Sequence, residues 1–296
     1  MKIKIVWYKT DFILKFFLFL IIMITHSISM LGKRPTNEDQ HEIIMNLQGT
    51  DPSIKKLNIF GVFDGHGGKD VAKYLKSHIP QFFIRNHMNY NINRTDKFKK
   101  YIEKVYDHVQ NSLERKYKNA SYAIGSTALV SLFYQKNNKI NYFIMNVGDC
   151  RAVKCNKDSI AIPLSKDHKP HLIDEKKRIE RLGGEIEFDG DDWRIKDLSV
   201  SRAFGDIDAT PYVTHKPEIF KYSLKKNDKF FILACDGLWD VLSNQEATNF
   251  VENEISKIDK LVEMSGYSKN NIANSLASYA IQKGSYDNVS IIIIFL

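Results

Sequence analysis

Asn58-Ile59-Phe60-Gly61-Val62-Phe63-Asp64-Gly65-His66-Gly67-Gly68 is a mostly apolar run that ends on an aspartate and a glycine-rich turn. Short runs rich in β-branched and aromatic residues, punctuated by Asp and Gly, read as buried strands. The pattern recurs. Tyr142-Phe143-Ile144-Met145-Asn146-Val147-Gly148 runs into Asp149, and Phe230-Phe231-Ile232-Leu233-Ala234-Cys235 runs into Asp236-Gly237. Asp287-Asn288 opens a last run from Val289 to Leu296. Three carboxylates therefore stand at strand C-termini and a fourth at a strand N-terminus. If the last strand is antiparallel to its neighbours, all four converge on one edge of the core. Carboxylates gathered without a cation repel one another, so the cluster implies a bound metal. The ligands are hard oxygens, with no Cys/His pairing at zinc-like spacing, which favours Mg²⁺ or Mn²⁺.

The chain has 296 residues, enough to bury a substantial core. Its net charge of +8 comes from lysines scattered over helical faces and loops rather than gathered in one stripe, so no nucleic-acid partner is expected. Cys150, Cys155 and Cys235 form no disulfide framework and read as buried thiols in a reducing compartment. A cytoplasmic or nuclear monomer is the expectation.

The N-terminus breaks this plain picture. Lys2, Lys4 and Lys9 precede the apolar stretch Phe16 to Ile24, and Ser27-Ile28-Ser29 follows. The layout is that of a signal peptide, but the run is shorter than the about 20 apolar residues of a membrane-spanning helix. Residues 1–28 therefore read as a targeting or membrane-associating segment, or as a first strand, ahead of a domain at 29–296. The short distance to Arg34 favours the stretch near Ile22 to Met30 packing as that strand.

Between the strands lie helical patterns: Lys69 to Phe83, Phe98 to Tyr117, Glu175 to Leu182, Ser243 to Ile258 and Asn270 to Gln282. Asn137-Asn138 suits a hairpin turn, and the Asn-rich stretch Asn86 to Arg94 reads as a loop. Strands in hairpins with helices grouped between them argue an α+β fold with two packed sheets.

Arg34 stands four residues before Glu38 and five before Asp39. A guanidinium beside carboxylate-bound metals suits a bidentate grip on phosphate. No Gly-x-x-x-x-Gly-Lys loop is present, which disfavours a nucleotide hydrolase. The ordered motifs are Ser29-Met30 through Arg34 to Glu38-Asp39, then Phe63 to Gly68, Gly125-Ser126-Thr127-Ala128, and Asn146 to Arg151. Asp167-His168-Lys169-Pro170 with Glu175 and Gly183-Gly184 follows. Leu198 to Asp206, Ala234 to Asp240 and Ser285-Tyr286-Asp287-Asn288 complete the series. With these motifs in this order, the chain resembles the metal-dependent serine/threonine protein phosphatases of the PP2C (PPM) family.

The resemblance implies a β-sandwich of two antiparallel sheets flanked by α-helices, with a binuclear metal centre at one end. It implies that Asp64 bridges two Mg²⁺ or Mn²⁺ ions, that the Gly65 carbonyl serves one, and that Asp236 and Asp287 serve the other. Glu38 and Asp39 hold metal-bound waters in that scheme, and Asp149 serves a third, weaker ion with Asp236 shared. Arg34 corresponds to the phosphate-binding arginine and His66 to the general acid. The activity implied is hydrolysis of phosphoserine and phosphothreonine in phosphorylated proteins by attack of a metal-bridging water. The alternative is a pseudophosphatase, the same fold kept as a binding module, which the intact ligand set disfavours.

One departure concerns the stretch Trp193 to Leu198, which lacks a glycine usual in the family before Leu-x-Val-Ser-Arg and is one residue shorter. It bears on the geometry of the neighbouring flap rather than on the ligands. Glu185, Glu187, Asp189, Asp191 and Asp192 crowd that flap and read first as a solvated acidic loop. His168 and Pro170 read as a turn that braces the flap.

Overall fold

The computed structural model describes residues 23–47, 54–84, 92, 94–117, 123–136, 139–265 and 271–296. The first apolar run becomes β3 (Ile54–Phe63), and both faces of that strand are covered. Phe60 and Val62 point to one side, Ile59 and Phe63 to the other, following the two-residue period of a strand, and all four are fully buried. Burial on both faces is the reason the stretch reads as a continuous apolar run instead of an alternating one.

β3 belongs to a five-stranded antiparallel sheet ordered β13 (Glu218–Ser223), β7 (Lys139–Val147), β6 (Ala128–Lys136), β3, β2 (Gln40–Leu47). The second five-stranded sheet runs β1 (Ile24–Met30), β15 (Val289–Phe295), β14 (Asp228–Ala234), β8 (Arg151–Asn156), β9 (Ala161–Pro163). Between the sheets Phe133 meets Phe60 and Phe231 edge-on, with ring centroids 5.7 and 5.2 Å apart, and stacks on Tyr142 at 4.8 Å. Helices α1 (Asp70–Ile84) and α2 (Thr95–Tyr117) cover the outer face of the β3 sheet. The outer face of the β15 sheet carries α4 (Asp236–Trp239), α5 (Asn244–Ser265) and α6 (Ile272–Gln282). The expected α+β sandwich flanked by helices is the fold. A smaller cluster built on Ile179, Ile195, Val200 and Val213 joins α3 (Ile173–Arg181) to the flap region.

Topology brings the aspartates together. β6 is antiparallel to both β3 and β7, so these two run the same way and end at one edge, where Asp64 and Asp149 follow. β14 and β15 are antiparallel, so the C-terminus of one adjoins the N-terminus of the other, which sets Asp236 beside Asp287.

β1 pairs with β15 from Ile24↔Phe295 to Met30↔Val289, and Met23 is buried between the sheets. The limit read at residue 29 falls inside this strand. Most of the Phe16 to Ile24 stretch, the Asn137-Asn138 turn and most of Asn86 to Arg94 lie outside the described residues. Among the described residues no helix is long and apolar enough to cross a membrane.

Two features go beyond the sequence reading. β13 lies in what reads as an irregular stretch, because only Ile219 is buried in Glu-Ile-Phe-Lys-Tyr-Ser at this sheet edge. A three-stranded ribbon also forms from β4 (Gly65–His66), β5 (Gly125–Ser126) and β12 (Phe204–Gly205). Its two-residue, glycine-containing strands carry no hydrophobic period.

Candidate metal centre

Asp64 leaves β3 held by a reciprocal clamp. Its N–H donates to Thr127 Oγ1 at 3.1 Å, and the Thr127 N–H donates to the Asp64 carbonyl at 2.8 Å. Around it, among the described residues, the structure assembles two sets of groups that could hold a cation: Asp39, Asp64 and Cys235, and Asp64, Asp149 and Asp236. Within each set the donor atoms lie within 4.8 Å of one another, and Asp64 is the member common to both. Cys235 Sγ accepts the Ser290 N–H at 3.1 Å, and burial with nearby carboxylates holds its thiol well above the usual range, which leaves the oxygens as the ligands on offer.

Two of these carboxylates are buried and short of partners, while Asp64 and Asp236 are half-buried. Asp39 and Asp149 are each 2% exposed, and neither Asp39 oxygen nor Asp149 Oδ2 takes a hydrogen bond. Burial and the charges of Asp39, Asp236, Asp149 and Asp287 push the Asp64 carboxyl well above the usual carboxylate range. Asp236 is raised well above it for the same reasons, with Asp149 its strongest charged neighbour. Burial raises Asp39 and Asp149 to about 6 each, in the latter case against the pull of Lys169. Leaving buried carboxylates unpaired is costly. Hard oxygen donors around a common member fit divalent cations such as Mg²⁺ or Mn²⁺.

Asp287 precedes β15 and pairs with Arg34, whose Nη2 lies 2.7 Å from Asp287 Oδ2. The loop that carries Arg34 and Glu38 is tied down by Asn288. Its side chain donates to the carbonyls of Leu31 at 2.8 Å and Thr36 at 3.0 Å and accepts the Glu38 N–H at 2.9 Å. Glu38 in turn accepts the Gly68 N–H at 2.9 Å, linking this loop to the turn after Asp64. A Cβ on Gly237 would stand 2.0 Å from the Asn288 carbonyl, so only glycine lets the start of α4 meet the Asp287-Asn288 segment.

His66 Nε2 lies 2.7 Å from Oδ2 of the buried Asp206. Burial disfavours the imidazolium, but the Asp206 hydrogen bond and the charges of Asp206, Asp149 and Glu38 outweigh it and raise the pKa above the ordinary value. Gly125 passes directly beneath this pair, where a Cβ would stand 2.1 Å from Asp206 Oδ2 and 2.3 Å from His66 Nε2.

Arg34, Glu38, Asp64, Gly65, His66, Asp149, Asp236 and Asp287 all line one cavity of about 530 Å³, and Asp39 lies buried beside it rather than in its wall. The structure thus brings every site residue read from the sequence to one place. Reading the sequence assigned no role to Asp206, Asn288 or Thr127, although each stands inside a quoted motif. Asp206 lies 140 residues from His66, a separation that no local pattern reports.

A family model described as "Protein phosphatase 2C" matches residues 25–289. The chain belongs to the protein phosphatase 2C family. It is 51% identical over 174 residues to "PP2C-like domain-containing protein R307" of Acanthamoeba polyphaga mimivirus, covering 54% of this chain and 97% of that one. It is 34% identical over 274 residues to "Protein phosphatase 1L" of Bos taurus, covering 90% of this chain and 70% of that one. A solved structure of a phosphatase from Toxoplasma gondii superposes with a TM-score of 0.74 at 22% identity, covering 93% and 92% of the two chains. A C. elegans sex determining protein gives 0.76 at 23% identity, covering 92% of this chain and 64% of that one. These two likenesses speak to the fold. Membership in the protein phosphatase 2C family implies protein serine/threonine phosphatase activity.

Around this family's centre the flap has its own character here. β10 (Glu187–Phe188) pairs with β11 (Trp193–Arg194) across a turn in which Asp189 accepts the N–H groups of Asp191 and Asp192 and the Arg194 guanidinium. Where the family glycine is missing, Lys196 and Asp197 both adopt left-handed backbone, at φ 51° and 66°, in a two-residue turn closed by reciprocal Ile195–Leu198 hydrogen bonds. Such a turn favours Asn-Gly, so its Lys-Asp sequence is strained. His168 braces a different place from the one read in the sequence. Its Nδ1 accepts the Gly148 N–H at 3.2 Å and its carbonyl accepts the Ser201 N–H at 2.9 Å, tying the Asp149 loop to the Ser201 segment.

Proposed function

We propose that this chain hydrolyses phosphoserine and phosphothreonine in proteins, using two Mg²⁺ or Mn²⁺ ions held by the strand-end carboxylates. One observation carries the reading: Asp64 is common to two acidic sets at a cavity whose lining includes Arg34 and His66. Asp64 would bridge the ions, with the Gly65 carbonyl on one and Asp236 and Asp287 on the other. Glu38 and Asp39 would hold waters of their outer shell, and Asp149 with Asp236 would serve a third, weaker ion. When bound, the ions would supply positive charge against the phosphoryl oxygens and lower the pKa of water.

The protein's own groups do the rest. Arg34 is 58% exposed, so its guanidinium turns from Asp287 to a phosphoryl group without disturbing the core, and its planar fork matches two phosphoryl oxygens. Asp206 pairs with Nε2 and raises the His66 pKa, which favours the imidazolium, whose Nδ1–H would donate to the serine or threonine leaving oxygen. Asp206 fixes the ring.

Steady-state kinetics of two variants separate these roles. Arg34→Ala is expected to raise KM about tenfold or more, the loss of a charged hydrogen-bond pair, with a smaller effect on kcat. His66→Gln is expected to lower kcat about a hundredfold on a phosphothreonine peptide and little on p-nitrophenyl phosphate, whose leaving group needs no proton. Equal losses on both substrates would remove His66 from the acid role.

A further inference from the structure

Lys169 belongs to none of the roles above, yet its ammonium occupies the acidic corner of the site. Nζ stands 3.6 Å from Asp149 Oδ2, 3.7 Å from Asp192 Oδ2 and 3.8 Å from Asp240 Oδ1, and the side chain is 18% exposed. The three partners come from three elements. Asp149 follows β7, Asp240 ends the α4 turn that begins at Asp236, and Asp192 lies in the turn of the flap. Asp149 Oδ2 is buried and takes no hydrogen bond, so the ammonium is its nearest compensating charge. The backbone around Lys169 is fixed. The preceding residue is clamped to Gly148 and Ser201, and the Lys169 carbonyl accepts the Leu172 N–H at 3.1 Å.

We propose that Lys169 is a resident cation: its ammonium holds the Asp149–Asp240 corner against a third divalent ion and, through Asp192, latches the flap to the edge of the metal centre. The inference rests on the two-ion reading given above and adds a positioning residue to it. A compact ammonium on a flexible four-carbon stem fills a locus between carboxylates without a divalent ion's demand for full coordination. Because it is tethered and partly solvated, a third ion displaces it only at high concentration, and doing so frees the flap. Third-ion binding and flap release are therefore one event.

The test is a Mn²⁺ titration of the full chain, followed by calorimetry and by the electron paramagnetic resonance of free Mn²⁺, with hydrogen exchange of the flap amides at 187–194. The wild type is expected to bind two ions tightly and a third weakly. Lys169→Gln is expected to bind the third about tenfold more tightly, as three partly screened ion pairs are lost, and to exchange its flap amides faster. Lys169→Arg keeps a cation in place and is expected to restore both readouts. Unchanged third-ion affinity and flap exchange in folded Lys169→Gln would overturn the proposal. A wild type that binds three ions with equal affinity would overturn it without any variant. Should Lys169→Gln not fold, Asp192→Asn tests the latch, and unchanged flap exchange there would overturn it. Loss of the two tight sites in the wild type would instead contradict the two-ion reading.

Discussion

Asp64→Ala is expected to lower phosphate release from a phosphothreonine peptide by more than about a hundredfold, since loss of outer-shell partners alone costs 10–100-fold in metal sites. The reason is positional. Asp64 is the one carboxylate shared by both acidic sets, so its removal dismantles both. Asp236→Ala touches only one set and is expected to weaken one of the two main ions, together with the third, while leaving the other main ion measurable. Calorimetric Mn²⁺ titrations of the two variants decide the point. Tight binding of two ions by Asp64→Ala would contradict the shared-ligand assignment.

The ion-free protein is expected to lose stability as pH rises from about 4 to beyond 6. Asp39 and Asp149 titrate near 6 in the folded chain against an ordinary value of 3.8, so the folded state keeps protons that the unfolded state releases in that window. Stability falls wherever the folded state binds more protons. Asp64 and Asp236 are raised by burial and neighbouring carboxylates and contribute in the same direction. Mn²⁺ is expected to reverse the trend, because binding requires the deprotonated ligands, and a ligand at a thousand times its Kd stabilises by about 4 kcal/mol. Melting temperatures measured from pH 4 to 8 in chelator and in Mn²⁺ should therefore diverge as pH rises. Parallel curves would mean that the carboxylates are not mutually repelling ligands.

Much of this is legible in the sequence itself. The strands ending at Asp64, Asp149 and Asp236 announce themselves because both their faces are buried, which writes an unbroken apolar run into the chain. Convergence of the aspartates follows from antiparallel pairing, and the ordered motifs supplied the family. What stayed hidden depends on contacts across long separations or on elements too short to carry a period. The His66–Asp206 pair, the glycine ribbon of β4, β5 and β12 and the Lys169 corner are all of this kind. Asn288 shows the limit well. In sequence it is a polar residue beside a ligand, whereas in the fold its single amide ties down the loop that carries Arg34 and Glu38. The flap turn was half legible. The missing glycine marked it as unusual, but only the backbone reveals that Lys196 and Asp197 take left-handed conformations there.

Phosphate release from phosphoserine and phosphothreonine peptides by the full chain, assayed in chelator, after readdition of Mn²⁺ or Mg²⁺, and beside Asp64→Ala, tests the central claim most directly. A metal-dependent phosphatase centred on Asp64 gives no release in chelator, recovery in the wild type on adding either ion, and none in the variant. Full activity in chelator, or full activity of Asp64→Ala, would contradict it.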